Sequence, residues 1–312
     1  GTTGGTTGGT SSGTASGGTA SATLAALPRV ESSGLVYTGA FRVPDGSSDS
    51  KTFAYGGSAL SYNTANKSLF MAGVPTNPTV AEISIPAPGQ GAVSGLPGAT
   101  LLQDFRDPSE GKAGGINPAG GDSRTGGTLV YNGKLVVTYF TDYDATNTQN
   151  KSHFSHSASL SAGGSQGPLA LSGAPARWLA GYMGAIPTQW QAAFGGPALT
   201  GLAGVNIASA ASNGPAAAVF NPDAMGSAAL LVGYELDRAL PQLYDASVEQ
   251  ANPFWNFTSQ VRGIAFPDGT RSVLFFGRHG LGAQQYGVDP QTGYKGYYAY
   301  PYVPYVWAYD AL

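Results

Sequence analysis

Asp142-Tyr143-Asp144-Ala145-Thr146-Asn147 is the oxygen-rich loop of this chain, and two of its three histidines, His153 and His156, follow close behind. Loop carboxylates two residues apart are the hard donors that calcium takes, so Asp142 and Asp144 are the candidate metal ligands. An EF-hand needs Gly at the sixth place of the loop and Glu at the twelfth, where this chain has Asn147 and His153. A solvated hairpin end is the competing reading. H-x-x-H brings two imidazoles together on a helix but sets them on opposite faces of a strand, and this stretch does not read as helix, so zinc is not expected there. Calcium is the one cofactor the residues suggest. The carboxylates available for acid–base work are Asp104, Asp107, Asp142 and Asp144, and spacing pairs no two of them convincingly.

Nucleophile and phosphate signatures fare worse. Gly163-Gly164-Ser165-Gln166-Gly167 satisfies G-x-S-x-G, as does Gly9-Thr10-Ser11-Ser12-Gly13, but neither lies between a strand and a helix as a nucleophile elbow must. Gly111-Lys112 and Gly133-Lys134 are followed by Ala and Leu, so no phosphate-binding loop exists. The glycines of Gly277-Arg278-His279-Gly280-Leu281-Gly282 are wrongly spaced for a dinucleotide, and a turn after a strand is the expected structure. Without cysteine, disulfides, thiolate zinc sites and thiol nucleophiles are excluded. No residue is assigned as catalytic, and the chain leans away from being an enzyme.

Two groups of residues suit recognition instead. Along extended backbone Tyr298, Tyr300 and Tyr302 share one face, as do Tyr305, Trp307 and Tyr309, with Pro301 and Pro304 interrupting the ladder. Such rows pack a core, rim a subunit contact or stack on sugars. N-x-[ST] acceptors for N-glycosylation occur at Asn66, Asn150 and Asn256.

These residues are carried by strands. Gly, Pro, Asn and Asp clusters separate strand-like runs at Leu35–Val43, Phe53–Tyr62, Ser68–Gly73, Val80–Ile85, Gly127–Tyr131, Lys134–Tyr143, Gly204–Ala208, Ala216–Phe220, Ala229–Tyr234, Val261–Phe266, Ser272–Gly277 and Tyr302–Tyr309. Helix is expected at Pro187–Phe194, where Pro opens and Gly195-Gly196 closes the segment, and as a short turn near Ala176–Met183. One grammar recurs four times, two apolar strands about a tight turn and then a third after a variable loop. SALSYNTANKSLFMAG leads to VAEISIP, TLVYNGKLVVTYFTDYD to HFSHSASL, GVNIASAASNG to AAAVFNPD, and RGIAFPDGTRSVLFFGRHG to YVWAYDAL. Asn132-Gly133 is a strong type I′ hairpin signal, and Asp268-Gly269 resembles it.

Repeated units of this kind predict an all-β propeller-like body over 28–312, with a β-sandwich as the alternative. Blades of roughly 40–50 residues would give five to seven of them, and Leu35–Phe41 could close the ring beside Val303–Tyr309. The phrases YNTANKSLFMAG, VAEISIP, AFPDGTRSVLFFG and YVWAYD resemble blades of secreted bacterial propellers of the NHL and Kelch kind. That resemblance implies the fold and an extracellular setting, and no transferable activity.

Composition narrows the partners. Only 11% of the 312 residues are charged, 47 are Gly and 21 Pro, and the net charge is −3. Scattered Lys and Arg cannot displace counterions from nucleic acid, while a weakly charged hydroxyl-rich surface permits contact with copies of itself or with glycans. No apolar run approaches a membrane span; Leu135–Phe140 and Ala228–Val232 are sized for strands. A start at Gly1 without a charged-then-apolar leader suits a mature secreted chain.

Residues 1–27 form a low-complexity arm and hinge. Gly1–Thr23 contains only Gly, Thr, Ser and Ala, opening GTTG-GTTG-GT. No side chain in it can offset about 1–2 kcal/mol per residue of backbone entropy, so any order must come from outside the tract. Thr favours strands and Gly admits a second backbone closely, so the tract can add to an exposed sheet edge. If donor and acceptor surfaces differ, the contact propagates into a filament. The expected function is therefore structural, head-to-tail self-assembly outside the cell, with Thr2, Thr3, Thr6, Thr7, Thr10 and Thr14 as assembly residues and O-glycosylation candidates. The alternative is a carbohydrate-binding or carbohydrate-active secreted propeller.

Overall fold

A computed structural model describes residues 22–57, 59–144, 146–202, 216–233, 259–286 and 298–312, with backbone alone described between 280 and 302. The arm threonines, Asn256 and the segment GVNIASAASNG lie outside the described residues. What is described is all-β, a propeller-like arrangement of four sheets, each a simple antiparallel meander.

The first sheet runs β1 (Leu60–Asn63), β2 (Ser68–Ala72), β3 (Val80–Ser84) and β4 (Leu101–Arg106); the second runs β5 (Ser123–Tyr131), β6 (Lys134–Thr141), β7 (His153–Ser157) and β8 (Gln166–Leu169). The third is β9 (Met183–Ala185), β10 (Ala198–Gly201), β11 (Ala217–Phe220) and β12 (Ala228–Val232). The fourth is β13 (Gln260–Ala265), β14 (Ser272–Tyr286) and β15 (Tyr298–Asp310). Asn132 at φ 48° and Gly133 at φ 75° make the type I′ turn their types demand, pairing Tyr131 with Lys134. At the last hairpin only Gly269 turns left-handed, at φ 69°. Strand β6 is buried along nearly its whole length, the pattern of a strand covered on both faces.

Where it is described, each quoted phrase falls on one sheet, but four sheets replace the five to seven expected. The reason lies in length: each meander carries a fourth strand or a long hairpin, and residues 107–122 and 170–182 are spent between sheets. The sandwich alternative fails because the sheets meet edge-on through their first strands: β5 touches β1, β9 and β13, and β9 touches β13. Leu35–Phe41 does not close the ring. Ala40 bridges Gly89 and Arg42 bridges Gly98, so this segment runs beside the loop that precedes β4. Gly277–Gly282 is not a turn but part of β14.

Helix is scarce, as composition implied. Among the described residues there are three short α-helices, α1 (Ala22–Ala25), α2 (Ala176–Leu179) and α3 (Thr188–Phe194); Gly195 ends the last at φ 85°, its N–H bonded to the Gln191 carbonyl. Leu24 and Leu27 pack on Ile186, Trp190, Leu199 and Val219, among partly buried Phe266 and Ala311. The Arg271 N–H donates to the Pro28 carbonyl at 3.0 Å. Leu24 and Leu27 are thus set at the junction of the third and fourth sheets. No described helix is long and apolar enough to cross a membrane.

Backbone touches backbone where sheets converge. A Cβ on Gly126 would run into the Ala180 carbonyl oxygen, and one on Gly127 into that of Gly181, which also accepts from Thr138 Oγ1 at 2.7 Å. We predict that Gly127→Ala lowers stability by roughly 1–3 kcal/mol through overpacking. Gly114→Ala, whose added Cβ meets nothing within 4 Å, should leave the urea midpoint unchanged. Equal midpoints for the two variants would refute the close-approach account.

Candidate functional site

The junction of the first and second sheets opens into a cleft at either end, because β1–β2 and β5–β6 are hairpins lying side by side. At the hairpin-turn end, a cleft of about 580 Å³ is lined by Asn63, Asn66, Gln103, Asn132 and Ser159 over Leu102 and Val130. Its floor holds Glu82, fully buried. Glu82 Oε1 accepts from Asn63 Nδ2 at 2.8 Å, Asn66 Nδ2 at 3.0 Å and the Ser68 hydroxyl, and Oε2 accepts from Gln103 Nε2 at 2.6 Å. Burial alone would raise its pKa, but the four side-chain donors together outweigh that and hold it below the ordinary carboxylate value. Gln103 also donates to the Ala158 carbonyl and accepts from the Leu160 N–H, tying the first sheet to the second. Saturated in this way, Glu82 fastens two sheets and has little capacity left for proton transfer.

At the other end lies a cleft of about 420 Å³, lined by Tyr55, Thr76, Arg124, Thr125, Asp142 and Arg262, with Gly73–Pro75 as backbone wall. β5 supplies Arg124 and β13 supplies Arg262. Arg124 Nη2 lies 3.2 Å from Asp142 and 4.0 Å from Asp122. Arg262 Nη2 donates to Gln260 Oε1 at 2.7 Å, and no carboxylate among the described residues pairs with it. Burial, with the neighbouring positive charge of Arg278, pulls its pKa down to about 10.

The loop carboxylates singled out by sequence turn to separate tasks. Asp142 pairs with Arg124, whereas buried Asp144 accepts from the Thr148 N–H and hydroxyl and from the Gln149 N–H, each at 2.9 Å. Desolvation works against the Asp144 charge, and those hydrogen bonds prevail, so its pKa is lowered. Among the described residues no three metal-ligating side chains come together. Asp104 pairs with Lys51, and Asp107 accepts from the Ser109 N–H and hydroxyl and the Gly111 N–H. His153 and His156 stand three apart on β7, hence on opposite faces. Ser165 immediately precedes β8 in irregular backbone rather than sitting on a nucleophile elbow.

The aromatic row is divided. Trp307 is core, Tyr305 lies against it at 4.8 Å between ring centroids, and Tyr309 meets Phe275 edge-on at 5.3 Å, so these three pack inward. For Tyr298, Tyr300 and Tyr302 the backbone is described, opposite Tyr286, Gln284 and Gly280 on β14. Asn66 and Asn150 are exposed; the Asn66 amide nitrogen is already engaged with Glu82. Sequence reasoning missed Arg124, Arg262 and Tyr55. A positive φ at Tyr55 leaves no composition signal, and the two arginines stand 138 positions apart. Comparison with family models, curated proteins and solved structures yields no match, so the propeller-like arrangement stands on this chain's own geometry and the NHL- and Kelch-like kinship gains no support from it.

Burial pushes the His153 imidazole down to about 3; its ring lies 5.2 Å from that of Phe220, and Nδ1 bonds Ser152 Oγ at 2.9 Å. An unfolded chain takes up that proton below the ordinary value of 6.5, while the folded ring refuses it until about 3. Stability is therefore lost as pH falls through this window, by about 2 kcal/mol at pH 5. In urea titrations at pH 7 and pH 5, His153→Gln should reduce the difference between the two conditions by about that amount; an undiminished difference would mean that the ring protonates in the fold.

Proposed function

We propose that this is an extracellular structural protein whose copies join head to tail, each body receiving the Gly/Thr arm of the next. The carrying observation is an asymmetry of the body. Eleven of the fifteen exposed large hydrophobic residues among those described fall between Leu35 and Leu102, in the leading segment and the first sheet. They include Leu35, Val36 and Tyr37, and also Leu101 and Leu102 on β4, the outermost strand of its sheet. Exposed apolar surface beside an open strand edge is where a soluble body accepts another chain. β4 and β12, unlike β8 and β15, contain no Pro to blunt them, and β4 carries two exposed leucines to one on β12.

The arm leaves from elsewhere, at the junction of the third and fourth sheets, where Leu24 and Leu27 hold its root. Donor and acceptor on different parts of one protomer make a heterologous contact, which grows unless its rotation closes a ring. Twenty-one residues ahead of Ala22 reach at most about 70 Å, enough to cross to a neighbour of this size. Main-chain hydrogen bonds to β4 would supply affinity, with Thr methyl groups covering Leu101 and Leu102. Sugars on the remaining hydroxyl-rich surface belong to the same reading.

Light scattering and negative-stain imaging of the full chain test it. The intact chain should form multimers, a chain beginning at Ala22 should be a folded monomer, and Leu101→Lys with Leu102→Lys should abolish assembly while leaving the urea midpoint nearly unchanged. A monomeric intact chain, or multimers that survive loss of the arm, would sink the proposal.

A further inference from the structure

The charged cleft carries a second, independent reading that needs no assembly. Arg262 and Arg124 come from the innermost strands of two different sheets and face one cavity, and only Arg124 has carboxylate partners among the described residues. A half-buried guanidinium beside a like charge, with one amide oxygen for company, is destabilised relative to water unless an anion joins it. Its planar fork matches a carboxylate in two-point fashion.

A second observation comes from the rim. Tyr55 is 95% exposed and held at φ 56°, in the left-handed region, within a turn closed by the Gly56 N–H to the Phe53 carbonyl at 2.8 Å. A bulky aromatic side chain in that conformation is strained, and strain of this kind persists where surrounding structure enforces it, often at ligand sites. Here no hydrophobic burial accounts for it. Its phenol ring stands at the mouth of the cleft, where a flat apolar face can stack, and Thr76 and Thr125 add hydroxyls suited to sugar hydroxyls. A volume of about 420 Å³ fits one or two sugar rings.

We propose that this cleft binds a carboxylated sugar of the uronic acid class, with Arg262 holding the carboxylate, Arg124 adding positive field, and Tyr55 stacking on the ring. Asp142 keeps Arg124 oriented and discourages larger polyanions such as phosphate esters.

The test is calorimetry on the full chain with galacturonic acid as probe, alongside galactose, acetate and inorganic phosphate. Galacturonic acid should bind at least tenfold more tightly than each of the three. Arg262→Gln should weaken it tenfold or more, and Tyr55→Ala severalfold with no change in urea midpoint, since that side chain buries almost nothing. Equal binding of galactose would remove the carboxylate from the argument, and equal binding of acetate or phosphate would leave an adventitious ion only. Should Arg262→Gln not fold, Tyr55→Ala decides: unchanged affinity there overturns the site. Because the readout is a small-molecule titration, it is separable from the fate of the assembly proposal, which the Ala22 truncation tests.

Discussion

Backbone must lie directly against backbone where the four sheets meet, and this constraint organises the molecule. β5 touches the first strand of every other sheet, and Gly126 and Gly127 press it on Ala180 and Gly181, which lead into the third sheet. A side chain at either place would push the third sheet off the second. β9 meets β13 where Gly184 lies under the Ile264 side chain, which leaves no room for a Cβ. Four sheets leave a narrower axis than more blades would, which is why small residues crowd the convergence and bulky ones such as Tyr139, Phe154, Trp178 and Trp190 fill the layers between sheets.

With so few charges, the chain uses buried polar groups as ties. Glu82 gathers four side-chain donors, and through Gln103 the knot reaches the second sheet. Arg177, completely buried, donates to the Thr141 carbonyl and lies 5.8 Å from the Phe140 ring centre, with the charges of Asp144 and Asp142 nearby. Burial lowers its pKa and those two carboxylates oppose the shift. Such groups add little net stability over apolar packing, yet they tolerate only one alignment of neighbouring sheets.

The same geometry separates the chemistry of the two clefts. At one end of the β1–β2 and β5–β6 hairpins, amides and an ionised, hydrogen-bond-saturated carboxylate make a structural cleft. At the opposite end the strands begin and finish, and side chains from β5 and β13 are free to converge on a cavity. Most exposed apolar residues lie on the leading segment and the first sheet, and two of them, Leu102 and Tyr55, line one cleft each.

Much of the architecture is legible in the residues themselves. Alternation and turn chemistry mark β1, β2, β3, β5 and β6, Asn132-Gly133 sets its hairpin register, and Pro187 with Gly195 bounds α3. These features are local, decided within a few residues by sterics and hydrogen bonding. Strands β4 and β9 are not legible, since LLQDFR is half polar and MGA too short to show a period. The number of sheets, the course of Leu35–Phe41 beside Gly89 and Gly98, and the meeting of Arg124 with Arg262 depend on contacts between distant segments. By itself the sequence determined an all-β body of repeated hairpins with a bland leader. Only the tertiary structure decided closure at four sheets and the charged cleft, because a shared axis and converging guanidiniums arise when strands far apart in the chain pack together, and no local pattern encodes that distance.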